Sequence, residues 1–147
     1  MDNQPTITQE YFVKRLIKLC LKSGLSGFPK DEVDRQILLK SAALTFNPTV
    51  VYVEKQVNQT LDAWIEGTGQ SGKMDHGTVR RYLVDAGYLV REKDGSSYQV
   101  SSGQRGDLFA TSVDQVDPLQ TITSAREEIA ARKRAYLEKA QQQHGNR

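Results

Sequence analysis

Residues 75–100 read Asp75-His76-Gly77-Thr78-Val79-Arg80-Arg81-Tyr82-Leu83-Val84-Asp85-Ala86-Gly87-Tyr88-Leu89-Val90-Arg91-Glu92-Lys93-Asp94-Gly95-Ser96-Ser97-Tyr98-Gln99-Val100. The first half carries the punctuation of a helix. Asp75 is an N-cap type whose carboxylate can take a free amide of the first turn. Gly87 suits the left-handed position just past the last turn. At about 100° per residue, Val79, Tyr82, Leu83 and Ala86 form an inward face, while Gly77, Arg81 and Val84 point away with Arg80 on the flank. The second half reads as two strand-like runs, 88–93 and 96–100, on either side of Asp94-Gly95. That dipeptide between such runs predicts a two-residue type I′ hairpin turn.

Working back from Asp75, Gly67-Thr68-Gly69-Gln70-Ser71-Gly72-Lys73 is a loop. Before it, Val57, Leu61 and Trp64 at i, i+4 and i+7 predict a helix over 54–65. Thr49-Val50-Val51-Tyr52-Val53 has β-type composition and the length of a short edge strand. A helix beginning at Pro29 carries Val33, Ile37 and Leu44 on one face and Leu38 on another, so two of its sides are expected to be buried. Asn47-Pro48 should end it. The order helix, short strand, helix, helix, hairpin is that of a winged helix-turn-helix. The fold class expected is therefore α+β, mostly α, with a winged helix-turn-helix core over 28–100.

Two helices flank that core. The first, in segment 1–27, should start near Thr6 or Thr8 and stop at Gly24, with Phe12, Val13, Leu16, Ile17 and Leu19 as its apolar stripe. Residues 101–121, rich in Ser, Gly and Asp, read as a linker. Segment 122–147 then holds a helix from Ser124, with Glu127 completing a capping box, to about 142. Ile122, Ile129 and Tyr136 recur at heptad spacing along it. A lone helix with so narrow a stripe is marginal in water, so docking on the first helix or pairing in a homodimer is expected.

Composition excludes several classes. The 147 residues suffice for one buried core and not for two ordinary domains. No apolar run approaches the ~20 residues that cross a bilayer, and the N-terminus lacks the layout of a signal peptide. With one cysteine, Cys20, there is no disulfide framework and no cysteine metal cluster. Cys20 itself reads as a small, partly buried apolar residue. A cytoplasmic, non-enzymatic protein without membrane contact is expected. The net charge of +2 is weak evidence for nucleic acid, because the basic residues gather at the two ends and the middle is mildly acidic.

The Asp75-His76…Arg80-Arg81…Leu83-Val84-Asp85-Ala86-Gly87-Tyr88-Leu89 block, followed by Arg91 and Asp94-Gly95-Ser96-Ser97-Tyr98, resembles an uncharacterised bacterial domain family. That family occurs alone or behind the DNA-binding domain of ArsR-type transcriptional regulators. Phe28-Pro29, Tyr52 and Glu54-Lys55-Gln56-Val57-Asn58 are similar to its opening pattern, so the resemblance covers 28–100. It implies a winged-helix-like fold and a regulatory context, and it supplies no catalytic residues. The chain departs from the pattern in its longer, glycine-rich loop before Asp75. It departs again at Val53, where a capping Ser or Thr is expected.

The candidate contacts with duplex DNA are Gly77, Arg80 and Arg81 on the last core helix, Arg91 and Lys93 on the hairpin, and Lys73 in the loop. Arginine near the start of such a helix can bond guanine through two hydrogen bonds, and hairpin cations would touch phosphate. Two plainer readings stand beside this one. Arg81 and Asp85, at i and i+4, could form a surface ion pair of little weight, and the hairpin could be a solvated turn. The near-neutral middle also leaves open a protein-interaction module that binds a protein partner instead of DNA. The loop satisfies G-x-G-x-x-G and most of the P-loop pattern, but a helix precedes it and Met74 replaces the magnesium-binding hydroxyl. Nucleotide binding is the remotest of the readings. His76 has only His144 as a possible histidine partner, so capping explains Asp75-His76 better than a metal does. No catalytic residues, metal ligands or cofactor are expected.

Overall fold

A computed structural model describes residues 7–22, 27–101 and 108–145. Its elements are α1 (Gln9–Leu21), α2 (Glu32–Ala43), α3 (Glu54–Gly67), α4 (His76–Asp85), β1 (Leu89–Arg91), β2 (Tyr98–Val100), a 3-10 helix (Thr111–Gln115) and α5 (Pro118–Gly145). Helix makes up 63% of the structure and the sheet is two-stranded and antiparallel, so the fold is α+β and mostly α. In β1–β2, Leu89 pairs with Val100, Val90 with Gln99 and Arg91 with Tyr98. Tyr52 adds a single antiparallel bridge to Tyr98, which completes the winged-helix order.

Local chemistry sets the helix boundaries. Thr8 caps α1 by accepting from the Tyr11 amide at 3.1 Å. Thr6 and the expected stop, Gly24, lie outside the described residues. Asp31, not Pro29, opens α2, because its carboxylate accepts from the Asp34 amide at 3.0 Å. That helix also ends at Ala43, before Asn47-Pro48. Asn47 is used instead in a turn, its side-chain oxygen accepting from the Thr49 amide and hydroxyl. In α3, which runs two residues past the expected end, Val53 offers no capping oxygen. Gln56 compensates in part by accepting from the Val53 amide at 3.0 Å.

The core is centred on α2 and Trp64. Ile37, Leu38, Leu39, Ala42 and Ala43 are all buried, since α1 covers one side of α2 and α4 another. Trp64 is fully buried and its indole N–H donates to Ser41 Oγ at 3.0 Å, which satisfies its only polar atom. Arg15 of α1 forks onto buried Asp34 of α2 through two bonds of 2.6 and 2.7 Å. The isolated removal of either partner would leave a charge without compensation. Cys20 is half-buried, as expected, and burial pushes its thiol up to about 12, so it stays protonated.

The stretch expected as linker is partly built into this core. Ile7 and Phe109 form a parallel bridge, with Ile7 N–H donating to Leu108 at 2.9 Å and Ala110 N–H to Ile7 at 2.8 Å. Phe109 meets Phe12 edge to face, and Val113 of the 3-10 helix is fully buried. Asp117, accepting from the Gln120 amide, marks the start of α5, which therefore begins at Pro118 rather than Ser124. Ser124 sits inside the helix, where it accepts from Gln120 Nε2 at 3.0 Å instead of forming a capping box with Glu127.

Phe109→Ala checks this directly. Losing a buried phenyl should cost about 3–5 kcal/mol in a denaturant titration, whereas a linker residue would cost almost nothing.

Candidate nucleic-acid interface

α4 is positioned by both of its ends. Asp75 Oδ1 accepts from the Thr78 amide at 2.8 Å and Oδ2 from the Thr78 hydroxyl at 3.0 Å. Gly77 leaves room for that cap, since a Cβ there would lie 3.3 Å from Asp75 Oδ1. At the other end Gly87 is left-handed (φ 85°) and donates to Val84, while Tyr88 N–H donates to Leu83 at 2.8 Å. Leu83 and Tyr88 are both buried, so the Schellman motif is closed by its hydrophobic contact. Val79 and Leu83 face the core as expected, with Tyr82 half-buried beneath Phe28 and Arg35.

A second layer of polar contacts ties α4 to α3. Glu54, Asn58 and Asp62 recur every fourth residue on α3. His76 Nδ1 lies 2.9 Å from Asp62 Oδ1, Arg80 donates to Asn58 Oδ1, and the Arg80 guanidinium lies 3.7 Å from Glu54 Oε1. Tyr98 of the hairpin donates its hydroxyl to the same Glu54 oxygen at 3.2 Å. Reading α4 alone hid this arrangement. The period-four run of acceptors on α3 was its sequence signal.

The candidate residues consequently divide. Arg80 is turned onto α3 and holds the two helices together. Arg81 stands exposed on the outer face of α4 and makes no ion pair with a described residue, so the i, i+4 pairing with Asp85 is not formed. Arg91 is exposed, and its guanidinium folds over the hairpin turn, where a Cβ on Gly95 would lie 2.5 Å from Nη2. Gly77, Arg80, Arg81, Arg91, Asp85 and Tyr98 line one polar depression of about 300 Å³ between α4 and the hairpin. Lys93 projects at the hairpin tip beyond it, and Lys73 is exposed in the loop before α4.

The hairpin turn differs from the expected type. Gly95 N–H donates to Glu92 at 2.8 Å and Glu92 N–H to Ser97 at 2.9 Å, so Lys93 and Asp94 are the central pair and Gly95 follows them. A type I′ turn needs two left-handed residues, and only Gly95 (φ 74°) has that geometry. Asp94 instead accepts from the Ser96 amide and hydroxyl. The wing tip is thereby one residue longer on each side.

The glycine loop is a helix terminus. Gly69 (φ 76°) donates to Glu66 and Gln70 to Ile65, a second Schellman motif, and the amides of Thr68, Lys73 and Met74 also donate to backbone carbonyls. A P-loop presents its amides to phosphate, and here five of them are committed to the chain itself. No cluster of metal-binding side chains occurs among the described residues, and the side chain of His144 lies outside them.

The fold has the element order of a winged helix-turn-helix, and Arg81 and Arg91 stand on two walls of a cleft that Glu54 and Asp85 also line. The chain belongs to the family described as uncharacterized proteins conserved in bacteria, DUF2087, which matches residues 24–100, just over half of its length. No curated protein and no solved structure matches it. No described helix is long and apolar enough to cross a membrane.

Two measurements check the site's construction. Calorimetry with millimolar magnesium-ATP should show no saturable heat, and saturable binding lost in Lys73→Ala would contradict the loop assignment. Thr78 holds the Asp75 carboxyl below its ordinary value of 3.8, and Ser96 does the same for Asp94. Carboxyls depressed in the folded state contribute stability that is complete above the unfolded value and lost as pH falls through the folded one. The thermal midpoint should therefore drop as pH is lowered below 3.8, and Asp75→Asn, which keeps a capping oxygen but cannot titrate, should flatten that drop.

Proposed function

We propose that this chain is a nucleic-acid-binding protein of bacterial transcriptional regulation, cytoplasmic and non-enzymatic, that grips duplex DNA with α4 and the hairpin. The observation carrying the proposal is that Arg81 and Arg91 line the same depression from its two sides, both exposed and neither paired with a described acid. Arg81 is on the face of α4 that would enter a major groove, where arginine bonds guanine O6 and N7. Arg91 and Lys93 sit where a wing meets the phosphate backbone and position the complex without reading sequence. Arg80 acts through its hold on α3. The resemblance to domains found with ArsR-type regulators supports a regulatory setting.

One observation favours a different partner. Tyr52 and Tyr98 pair with their side chains on the core face, so Val51, Val53 and Val90 fall on the outer face of the small sheet, each about half exposed. An apolar face of this kind suits a protein-interaction module, and it lies away from the groove.

The two readings separate in a random-site selection. Arg81→Ala should weaken binding to the preferred site by about 1–3 kcal/mol and relax preference at one base pair. Arg91→Ala with Lys93→Ala should weaken all sequences alike and lower the slope of log K against log salt by about two, one per lost phosphate contact. Absence of duplex binding by the intact chain at low salt would overturn the DNA reading in favour of the protein-interaction one.

A further inference from the structure

A cavity of about 230 Å³ opens where the end of α2, the turn after it and the base of the hairpin meet. Ala43, Leu44, Phe46, Pro48, Tyr88 and Val100 give it apolar walls, and it shares no lining residue with the cleft between α4 and the hairpin. A dry cavity of about 150 Å³ holds a benzene ring, so this one has room for a branched or aromatic side chain with a small polar head.

The walls are fixed before any ligand arrives. Phe46 meets the Tyr52 ring edge to face at 5.2 Å, and the Tyr88 hydroxyl donates to buried Gln36 at 2.6 Å. Ser101 N–H donates to the Tyr88 carbonyl at 3.0 Å and closes the hairpin at its base. Side chains held in this way lose little freedom when a ligand binds.

The polar part of the lining is an ion pair. Lys40 Nζ lies 2.7 Å from Asp114 Oδ1, with Lys40 20% and Asp114 64% exposed, and Ser101 adds a hydroxyl. Lys40 also sits over the Phe109 ring, 5.6 Å from its centroid. Neither charged group has another polar partner among the described residues. Two N–H groups of Lys40 and Asp114 Oδ2 are therefore open to a ligand. Opposite charges in contact select against a ligand with a single charge. A lone carboxylate meets Asp114 as well as Lys40, and a lone ammonium meets Lys40 as well as Asp114. A zwitterion with adjacent charges satisfies both, and one carbon carries the ammonium and carboxylate of an α-amino acid.

We propose that this cavity binds a free α-amino acid with an apolar side chain. The ligand ammonium donates to Asp114, its carboxylate accepts from Lys40 and Ser101, and its side chain lies among Leu44, Phe46, Tyr88 and Val100. The paired charges supply selection, and the apolar area removed from water supplies most of the affinity. The site is independent of the nucleic-acid reading, since neither Arg81 nor Arg91 takes part in it.

Calorimetric titration of the full chain with leucine, isoleucine, valine, methionine and phenylalanine tests the proposal. At least one should bind saturably with a dissociation constant below about 1 mM. For the tightest of them, the analogue without its ammonium and the analogue without its carboxylate should each bind at least about tenfold more weakly. Lys40→Met and Asp114→Asn should each weaken binding by a similar factor. Asp114→Asn alters an exposed residue, so it reads the site even where Lys40→Met loosens the fold. Methyl resonances of Leu44 and Val100 should shift at saturation, with those of Val51 and Val53 unmoved. No saturable heat from any of the five, equal affinity for the ammonium-free analogue, binding indifferent to Asp114→Asn, or unshifted Leu44 and Val100 would each overturn the inference. No DNA is present in these titrations, so their outcome is separate from that of the duplex-binding measurements.

Discussion

Tyr98 is the constraint on which the rest of the interface depends. Its ring is buried, its backbone exchanges two hydrogen bonds of 2.8 Å with Tyr52, and it sits opposite Arg91 in the hairpin register. Its hydroxyl reaches Glu54 at the first turn of α3, and the same Glu54 oxygen faces Arg80 of α4. A buried tyrosine with a satisfied hydroxyl has few alternative placements. One residue therefore fixes the hairpin against both helices of the helix-turn-helix. The distance between Arg81 and Arg91 across the depression follows from that anchoring, not from either element alone. The ion pair of Glu54 with Arg80 is half exposed and contributes little free energy. Its effect is on geometry, because it commits Arg80 to α3 and leaves Arg81 as the free cation of α4.

The winged-helix segment does not hold the core by itself. The family match covers 24–100, yet Ile7, Phe12, Leu16, Leu19, Phe109, Val113 and Ile122 lie outside it and are buried. They belong to α1, the strand-like bridge at Phe109, the 3-10 helix and the first turns of α5, which close over α2 and α3. A segment of the family's length carries the candidate interface. The flanking elements complete the hydrophobic core beneath it, consistent with the small burial that so short a domain can achieve alone. The same flanks supply the helix that projects away from the body, on a surface separate from the cleft between α4 and the hairpin.

Much of this was legible in the sequence where the deciding forces are local. Asp75 and Gly87 bracket α4 because capping chemistry acts within four residues, and the stripe of Val79 and Leu83 follows from helical period alone. The α2 helix was rightly expected to be buried on two sides from its mixture of apolar faces. What could not be read were partners distant in sequence. Arg80 looks like a free flank residue until Asn58 and Glu54 are brought beside it. Phe109, Val113 and Val116 stand at i, i+4 and i+7, but this spacing is short and lies in a stretch whose Ser, Gly and Asp content reads as linker. The glycine loop matched a phosphate-binding pattern by composition, while left-handed Gly69 and its donated amide show a helix end. At Asp94-Gly95 the dipeptide correctly signalled a turn. Its type was decided by Asp94 bonding Ser96, which suits an ordinary right-handed residue and leaves the left-handed position to Gly95.

The central claim is that one surface, the cleft between α4 and the hairpin, meets the nucleic acid. Amide and arginine side-chain resonances followed by NMR during titration with a short duplex test it most directly. The account predicts shifts concentrated at Gly77, Arg81 and the hairpin from Arg91 to Gly95, with Val51, Val53 and the outer half of α5 unmoved. Shifts confined to the valine face or to α5, with Arg81 and Arg91 unchanged, would contradict it.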